Sequence, residues 1–261
     1  MNISLKGKNA LVGGSSKGIG KAAAIELAAL GANVTLVSRS PEIMSDIVHE
    51  LDTSQGQHHD FLVADFSNRE DLKKKAIALS TAKTIHILVN NTGGPRGGAI
   101  VNAELDEFLQ AINNHLICNH ILSQTFLKGM KKEGYGRIIN VISTSVEQPI
   151  DGLGVSNTTR GAVANWAKTL ATEVAQFGIT VNNVLPGSTS TDRLSSIINS
   201  RAEKKGISSE EETEIWKNNI PAKRFAEPKE IGNAIAFLAT PAAAYINGIN
   251  LPVDGGRTKS L

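Results

Sequence analysis

Short apolar runs alternate along the chain with longer stretches in which apolar residues return every three or four positions. The runs are Asn9–Val12, Asn33–Ser38, Phe61–Ala64, Ile85–Val89, Arg137–Ile142, Thr180–Leu185 and Asn250–Val253. Runs of this kind have the profile of parallel strands buried on both faces. The longer stretches are Lys21–Leu30, Pro41–Asp52, Asn68–Ala82, Asp106 to about Lys132, Asn157–Phe177 and Pro228–Ala239. They read as helices packed on a sheet. In 157–177 the core-like spacing falls on Ala162, Val163, Trp166, Leu170 and Val174. Strand and helix alternate throughout, which predicts an α/β fold with a doubly wound parallel sheet.

One segment breaks the rhythm. Arg193–Arg224 is charged and polar around Trp216. It reads as a helical excursion over the carboxyl edge of the sheet, and two roles stay open for it: a substrate lid, or a surface helix pair with no gating role.

The junction between the first strand and the first helix is Gly13-Gly14-Ser15-Ser16-Lys17-Gly18-Ile19-Gly20. Alone, a glycine-rich run reads as a turn. Flanked by a strand, a helix and a second strand, it completes a βαβ unit of Rossmann type, where glycines let a ligand approach the backbone and the helix N-terminus favours a phosphate. The second strand ends in Ser38-Arg39-Ser40, with no carboxylate to accept from ribose hydroxyls. Arg39, with Lys17 in the glycine turn, suits a 2′-phosphate, so NADP(H) is predicted over NAD. The alternative for Arg39 is a solvated loop residue.

Composition narrows the picture. With 261 residues, 41% of them hydrophobic, the chain is long enough for a single α/β domain over 1–261. A net charge of +2 makes no case for a nucleic-acid or membrane partner. Lys73, Lys74 and Lys75 read as a solvated helix face. Cys118 is the single cysteine, so there is no internal disulfide and no metal-ligand spacing; no metal is expected. Met1–Lys6 holds no apolar run and nothing approaches a membrane span, which makes a cytoplasmic protein the expectation.

In order along the chain, the motifs resemble those of the short-chain dehydrogenase/reductases. The glycine turn is similar to T-G-x-x-x-G-x-G, with Gly13 for the threonine. Asn90-Asn91-Thr92-Gly93 is similar to N-N-A-G, Pro186-Gly187 with Thr191 to the P-G motif and its threonine, and Tyr245–Gly248 and Val253–Gly256 to the C-terminal signature. The likeness covers nearly the whole chain and is nearest to the 3-oxoacyl-[acyl-carrier-protein] reductases, which implies an acyl-thioester or other small ketone substrate. It implies that Gly14, Ser16, Lys17, Gly18, Ile19 and Gly20 hold pyrophosphate. It implies further that Asp65 and Phe66 border the adenine, that Asn90 and Gly93 flank the ribose, and that Pro186, Gly187 and Thr191 meet the nicotinamide end. Asp65 capping its own loop and Asn90 pinning strands are the structural alternatives. In the family the two long helices pair between subunits, implying a homotetramer or homodimer, with Ala164, Ala167 and Ala171 as small outward positions.

The chemistry departs from that pattern. The family's tyrosine and lysine, Y-x-x-x-K, fall on Ser156 and Arg160, the S-N-x-x-R variant of a subgroup near the 3-oxoacyl reductases. The serine survives as Ser143, and the asparagine position falls on His115, with Asn113 and Asn114 adjacent. An aliphatic hydroxyl is a far weaker acid than a phenol, and a guanidinium exchanges no proton near neutrality. Three readings follow. The first is a working reductase with a rearranged acid, His115 being the candidate because an ordinary imidazole titrates near 6.5, and Ser143 polarising the carbonyl. The second is an NADP-binding protein with little or no turnover. The third is different chemistry with Glu147 or Asp151 as base, residues that otherwise read as solvated loop charges.

Overall fold

The computed structural model describes residues 1–260. Seven strands form one wholly parallel sheet in the order β3-β2-β1-β4-β5-β6-β7. They are β1 (Asn9–Gly13), β2 (Asn33–Ser38), β3 (Asp60–Val63), β4 (Ile87–Asn90), β5 (Gly136–Val141), β6 (Ile179–Pro186) and β7 (Asn250–Val253). The order reverses between β1 and β4, the crevice where ligands of open α/β sheets bind. Side chains alternate between two cores. Ala10, Val12, Val34, Leu36, Ile87 and Val89 face one layer of helices, α1 (Gly18–Ala29), α2 (Pro41–Glu50) and α9 (Pro228–Ala239). Leu11, Val37, Leu88, Ile138 and Val181 face the other, α3 (Arg69–Ala82), α5 (Cys118–Glu133) and α6 (Gly154–Val174). Burial on both faces is why the five inner strands lack polar alternation, whereas the edge strands β3 and β7 are partly exposed.

Two expectations about helices are corrected. The stretch 106–132 is not one regular helix. It is α4 (Leu105–Ile112), a π-helical turn at Asn113–Ile117, and α5. The wide turn carries His115 into the buried interior. On α6, Ala164, Ala167 and Ala171 are not outward: all three are buried, the last two in the core under the sheet. Ala162, assigned to the core by spacing, is exposed instead. The apolar face of α6 is therefore turned somewhat from the expected one, with Val163 and Val174 inside and Trp166 and Leu170 half-buried against the core.

The polar segment forms two helices, α7 (Asp192–Lys205) and α8 (Ser209–Asn218). Gly206 ends α7 in the left-handed region, and a capping box of Ser208 and Glu211 starts α8. Three contacts fasten α7 across the carboxyl edge: Lys17 Nζ to Asp192 Oδ2 at 2.7 Å, Arg193 Nη2 to Pro95 O at 2.6 Å and Arg201 Nη2 to Asp151 O at 3.0 Å.

A row of side-chain amides crosses the sheet. Asn90 donates to Asn140, Asn140 to Asn183, Asn183 to Asn250 and Asn250 to Glu147 Oε1, each at 2.9 Å. The four asparagines occupy matching register positions on β4 through β7. The row ties the turn after β5 to the edge of the sheet.

Candidate active site

The glycine turn is built as a cradle. Gly14 and Gly18 take φ of +58° and +56°, a region that side chains rarely tolerate. A Cβ on Gly14 would lie 2.7 Å from Asn91 O, and one on Gly20 would strike Gly14 O. A Cβ on Gly13 would come within 2.9 Å of Asn91 O, so this backbone resists a threonine there. Asn91 Nδ2 donates to Gly13 O and Gly14 O at 3.1 and 3.3 Å and fixes the turn to the end of β4. α1 begins inside the glycine run. Its N-cap, Lys17, makes no side-chain cap and its first turn holds no acid, so its N–H groups and dipole are left for an anion. These features fit a dinucleotide pyrophosphate.

A cleft of about 790 Å³ opens above this cradle, within the usual range for small-molecule sites. Gly14, Ser16, Lys17, Gly18 and Ile19 line one end; Arg39, Asp65 and Phe66 line the wall beyond β2 and β3. Gly93, Pro186, Gly187 and Thr191 line the opposite wall, and Ser143, Ser156 and Arg160 join them there. Three expected residues do not line the cleft: Gly20, which is helix-packed, Asn90 and His115. Asn90 is buried at the head of the amide row, so its visible work is bracing strands.

At the cation-rich wall, Arg39 is exposed and in no ion pair among the described residues. Asp65 Oδ1 accepts from Ser67 N at 2.9 Å, and this bond chiefly, with Arg39 nearby, holds its carboxyl below the usual range. Lys17 is not free to serve a 2′-phosphate in this arrangement, because its ammonium is paired with Asp192.

The other end holds the altered chemistry. Ser143 follows β5, and its Oγ accepts from Ser145 N at 3.1 Å. Ser156 and Arg160 are one turn apart on α6. Arg160 is only 7% exposed, and its Nη1 donates to Val141 O at 3.0 Å. Burial, then the nearby Arg193, pushes the guanidinium down to about 10, so it stays cationic at neutral pH. His115, 2% exposed, sits behind Thr92, with Nδ1 2.5 Å from Thr92 Oγ1. Burial foremost, then Arg160 and Arg193, pushes its imidazole down to about 2. This corrects the premise that His115 titrates near 6.5: it is neutral at working pH and reaches the cleft only through Thr92. Neither Glu147 nor Asp151 lines the cleft; Glu147 ends the amide row.

Residues 14–258 match the family profile described as enoyl-(acyl carrier protein) reductase. The chain belongs to the short-chain dehydrogenase/reductase family. It is 34% identical to a 3-oxoacyl-[acyl-carrier-protein] reductase of Vibrio harveyi, covering 97% of this chain and 98% of that one. Its fold is similar to that of an L-sorbose reductase from Gluconobacter frateurii, solved with NADPH and L-sorbose, with a TM-score of 0.93 and 29% identity over the whole of both chains. An actinorhodin polyketide ketoreductase solved with NADPH gives 0.89 and 28%, covering 97% of each.

Set in that family, the chain shows site residues that sequence reasoning passed over. Thr92, noted only as an alanine replacement, holds the hydroxyl that joins His115 to the cleft. The two substitutions match each other, and a paired departure at motif positions was the available signal. Arg193 also lines the cleft, and nothing in its charged segment marked it out. Asn114, one residue from the expected position, lines the cleft while His115 does not. No helix is long and apolar enough to cross a membrane among the described residues.

Proposed function

We propose that the protein is an NADP(H)-dependent carbonyl reductase of the short-chain type, with Ser156 and Arg160 where the family carries tyrosine and lysine. The observation that carries this reading is that Ser143, Ser156 and Arg160 line the same cleft as the glycine cradle and Arg39. The NADPH-bound family structures support the coenzyme. The backbone of Gly14, Ser16, Gly18 and Ile19 holds pyrophosphate at the start of α1, Arg39 meets the 2′-phosphate, Asp65 and Phe66 border adenine, Gly93 flanks the adenosine ribose, and Pro186, Gly187 and Thr191 border the nicotinamide end. Bound NADPH supplies hydride to the carbonyl carbon. Ser143 Oγ–H donates to the carbonyl oxygen as negative charge gathers there, and the cationic Arg160 keeps that end of the cleft positive. The proton that completes the alcohol comes from water in this site, because no phenol is present and His115 is neutral. Thr92 presents a hydrogen or a lone pair to the cleft according to which nitrogen of His115 carries hydrogen. The substrate is a small ketone or an acyl thioester.

The second reading, a coenzyme-binding protein with little turnover, draws on the same missing acid. Two measurements divide them. NADPH is titrated by fluorescence, and its oxidation is followed with 3-oxoacyl thioesters and a ketone panel. Turnover that falls about 10²-fold in Ser143→Ala is expected for the reductase. Tight binding with no turnover on any compound sinks it.

We further propose one domain with α7–α8 as its lid, a cytoplasmic location, and a homotetramer or homodimer. Leu105 and Leu109 on α4 are 81% and 65% exposed, an apolar face suited to a second copy. A monomer by light scattering at micromolar concentration overturns the assembly.

A further inference from the structure

The reacting end of the cleft holds two guanidinium groups and no carboxylate. Arg160 on α6 is buried, its one hydrogen bond among the described residues goes to Val141 O, and no acid lies within ion-pair distance. Arg193, in the first turn of α7, reaches across to donate to Pro95 O and lies against Gly94, with Nη2 3.2 Å from the place of a Cβ there. Arg193 lies close enough to disfavour the charge on Arg160. The carboxylates lining the cleft are Asp65, beside Arg39, and Asp192, taken by Lys17. A buried charge without a partner is costly, and a like charge nearby adds to that cost. Arg160 is buried in this way while Arg193 is exposed beside the same cleft, so an anion between them relieves Arg160 above all.

The coenzyme's phosphates do not reach Arg160. Their seat is the α1 N-terminus above β1, with Arg39 beyond β2. Arg160 is bonded at the end of β5, two strands to the other side, roughly 10 Å away at the spacing of neighbouring strands. The flat fork of a guanidinium matches a carboxylate in two parallel hydrogen bonds.

We propose that the substrate is a small oxo acid, its carboxylate held between Arg160 and Arg193 and its ketone presented to Ser143. This rests on the reductase reading. Hydride passes from NADPH to the ketone carbon, the C=O π bond opens to an alkoxide, and water supplies the proton, leaving a hydroxy acid, NADP⁺ and a hydroxide ion that is released to solvent. The contacts that fasten α7 over this edge hold Arg193 at the same cleft as Arg160.

The test compares straight-chain oxo acids with their methyl esters in NADPH oxidation. The expected wild-type preference for an acid is at least tenfold in kcat/KM. Arg193→Gln, at an exposed position, is expected to lower the acid-to-ester ratio at least tenfold while the NADPH dissociation constant moves less than threefold. Arg160→Lys serves as the second variant, because it keeps a cation and loses the fork; the ratio falls there too. Acids no better than esters, or an unchanged ratio with weakened NADPH binding, overturns the proposal and returns the arginines to the coenzyme. If nothing turns over, the readout is calorimetric binding of hydroxy acid against hydroxy ester to protein with NADP⁺. If NADPH gives no binding signal the reductase reading falls separately, and titration of the acid into the protein alone still decides whether the arginines hold a carboxylate.

Discussion

His115 shows how far a residue's surroundings can move its chemistry. In the unfolded chain it titrates near its ordinary 6.5; in the native site it is held down to about 2. Between those values the unfolded state takes up a proton that the native state refuses. Its contribution to stability is therefore fully present above pH 6.5 and is lost as pH falls toward 2, with a slope of at most about 1.4 kcal/mol per unit. His86, also lowered chiefly by burial, acts in the same direction. Replacing His115 with Asn removes the larger uptake, so stability from urea unfolding falls less steeply between pH 7 and 5 than in the wild type. An unchanged slope contradicts a buried neutral imidazole. The glycines make the complementary point, since their role was legible from the motif. Gly14→Ala places a methyl against Asn91 O in a left-handed backbone. It is expected to weaken NADPH binding at least tenfold in a fluorescence titration.

At the scale of elements, the asparagine row is the most exacting feature. Polar side chains in a doubly buried sheet are tolerated only when paired, and here each amide donates to the next. Replacing Asn140 with Leu leaves Asn90 Nδ2 and Asn183 Oδ1 without partners, at about 1–3 kcal/mol for each group. The urea midpoint should drop with no change in slope. A midpoint within error of the wild type would show that the row contributes only geometry. The strands that carry the row were readable from their apolar runs, and so was the turn that opens α1. The π-helical turn was not, because one extra residue only shifts the apolar stripe of the second half by about 100°, and two helical stripes out of phase still read as helix throughout 106–132. The phase of α6 was misread for a similar reason. Ala is compatible with core and surface alike, so a helix rich in alanine leaves its facing undecided until it is packed.

For the whole molecule, coenzyme binding and stability are linked. At one hundred times its dissociation constant, NADPH stabilises the native state by about 2.7 kcal/mol. For a chain of this size that raises the melting temperature by roughly 5–10 °C. NADH at the same concentration should do less, since Arg39 has no phosphate to meet. Equal shifts would count against the 2′-phosphate assignment.

Periodicity and glycine placement, read alone, determined the parallel α/β architecture and the cradle, and the motif resemblance placed Ser156 and Arg160 where the family carries tyrosine and lysine. These rest on local rules: a strand buried on both faces must be apolar, a tight phosphate-binding turn must be glycine, and a motif position holds one side chain. Tertiary packing decided the rest. Only the folded chain brings Arg193 and Arg160 to one cleft, places Thr92 between His115 and the cleft, and lines four asparagines across β4 to β7. Each of those depends on groups far apart in sequence sharing one low-dielectric space, where burial and neighbouring charge set protonation and pairing.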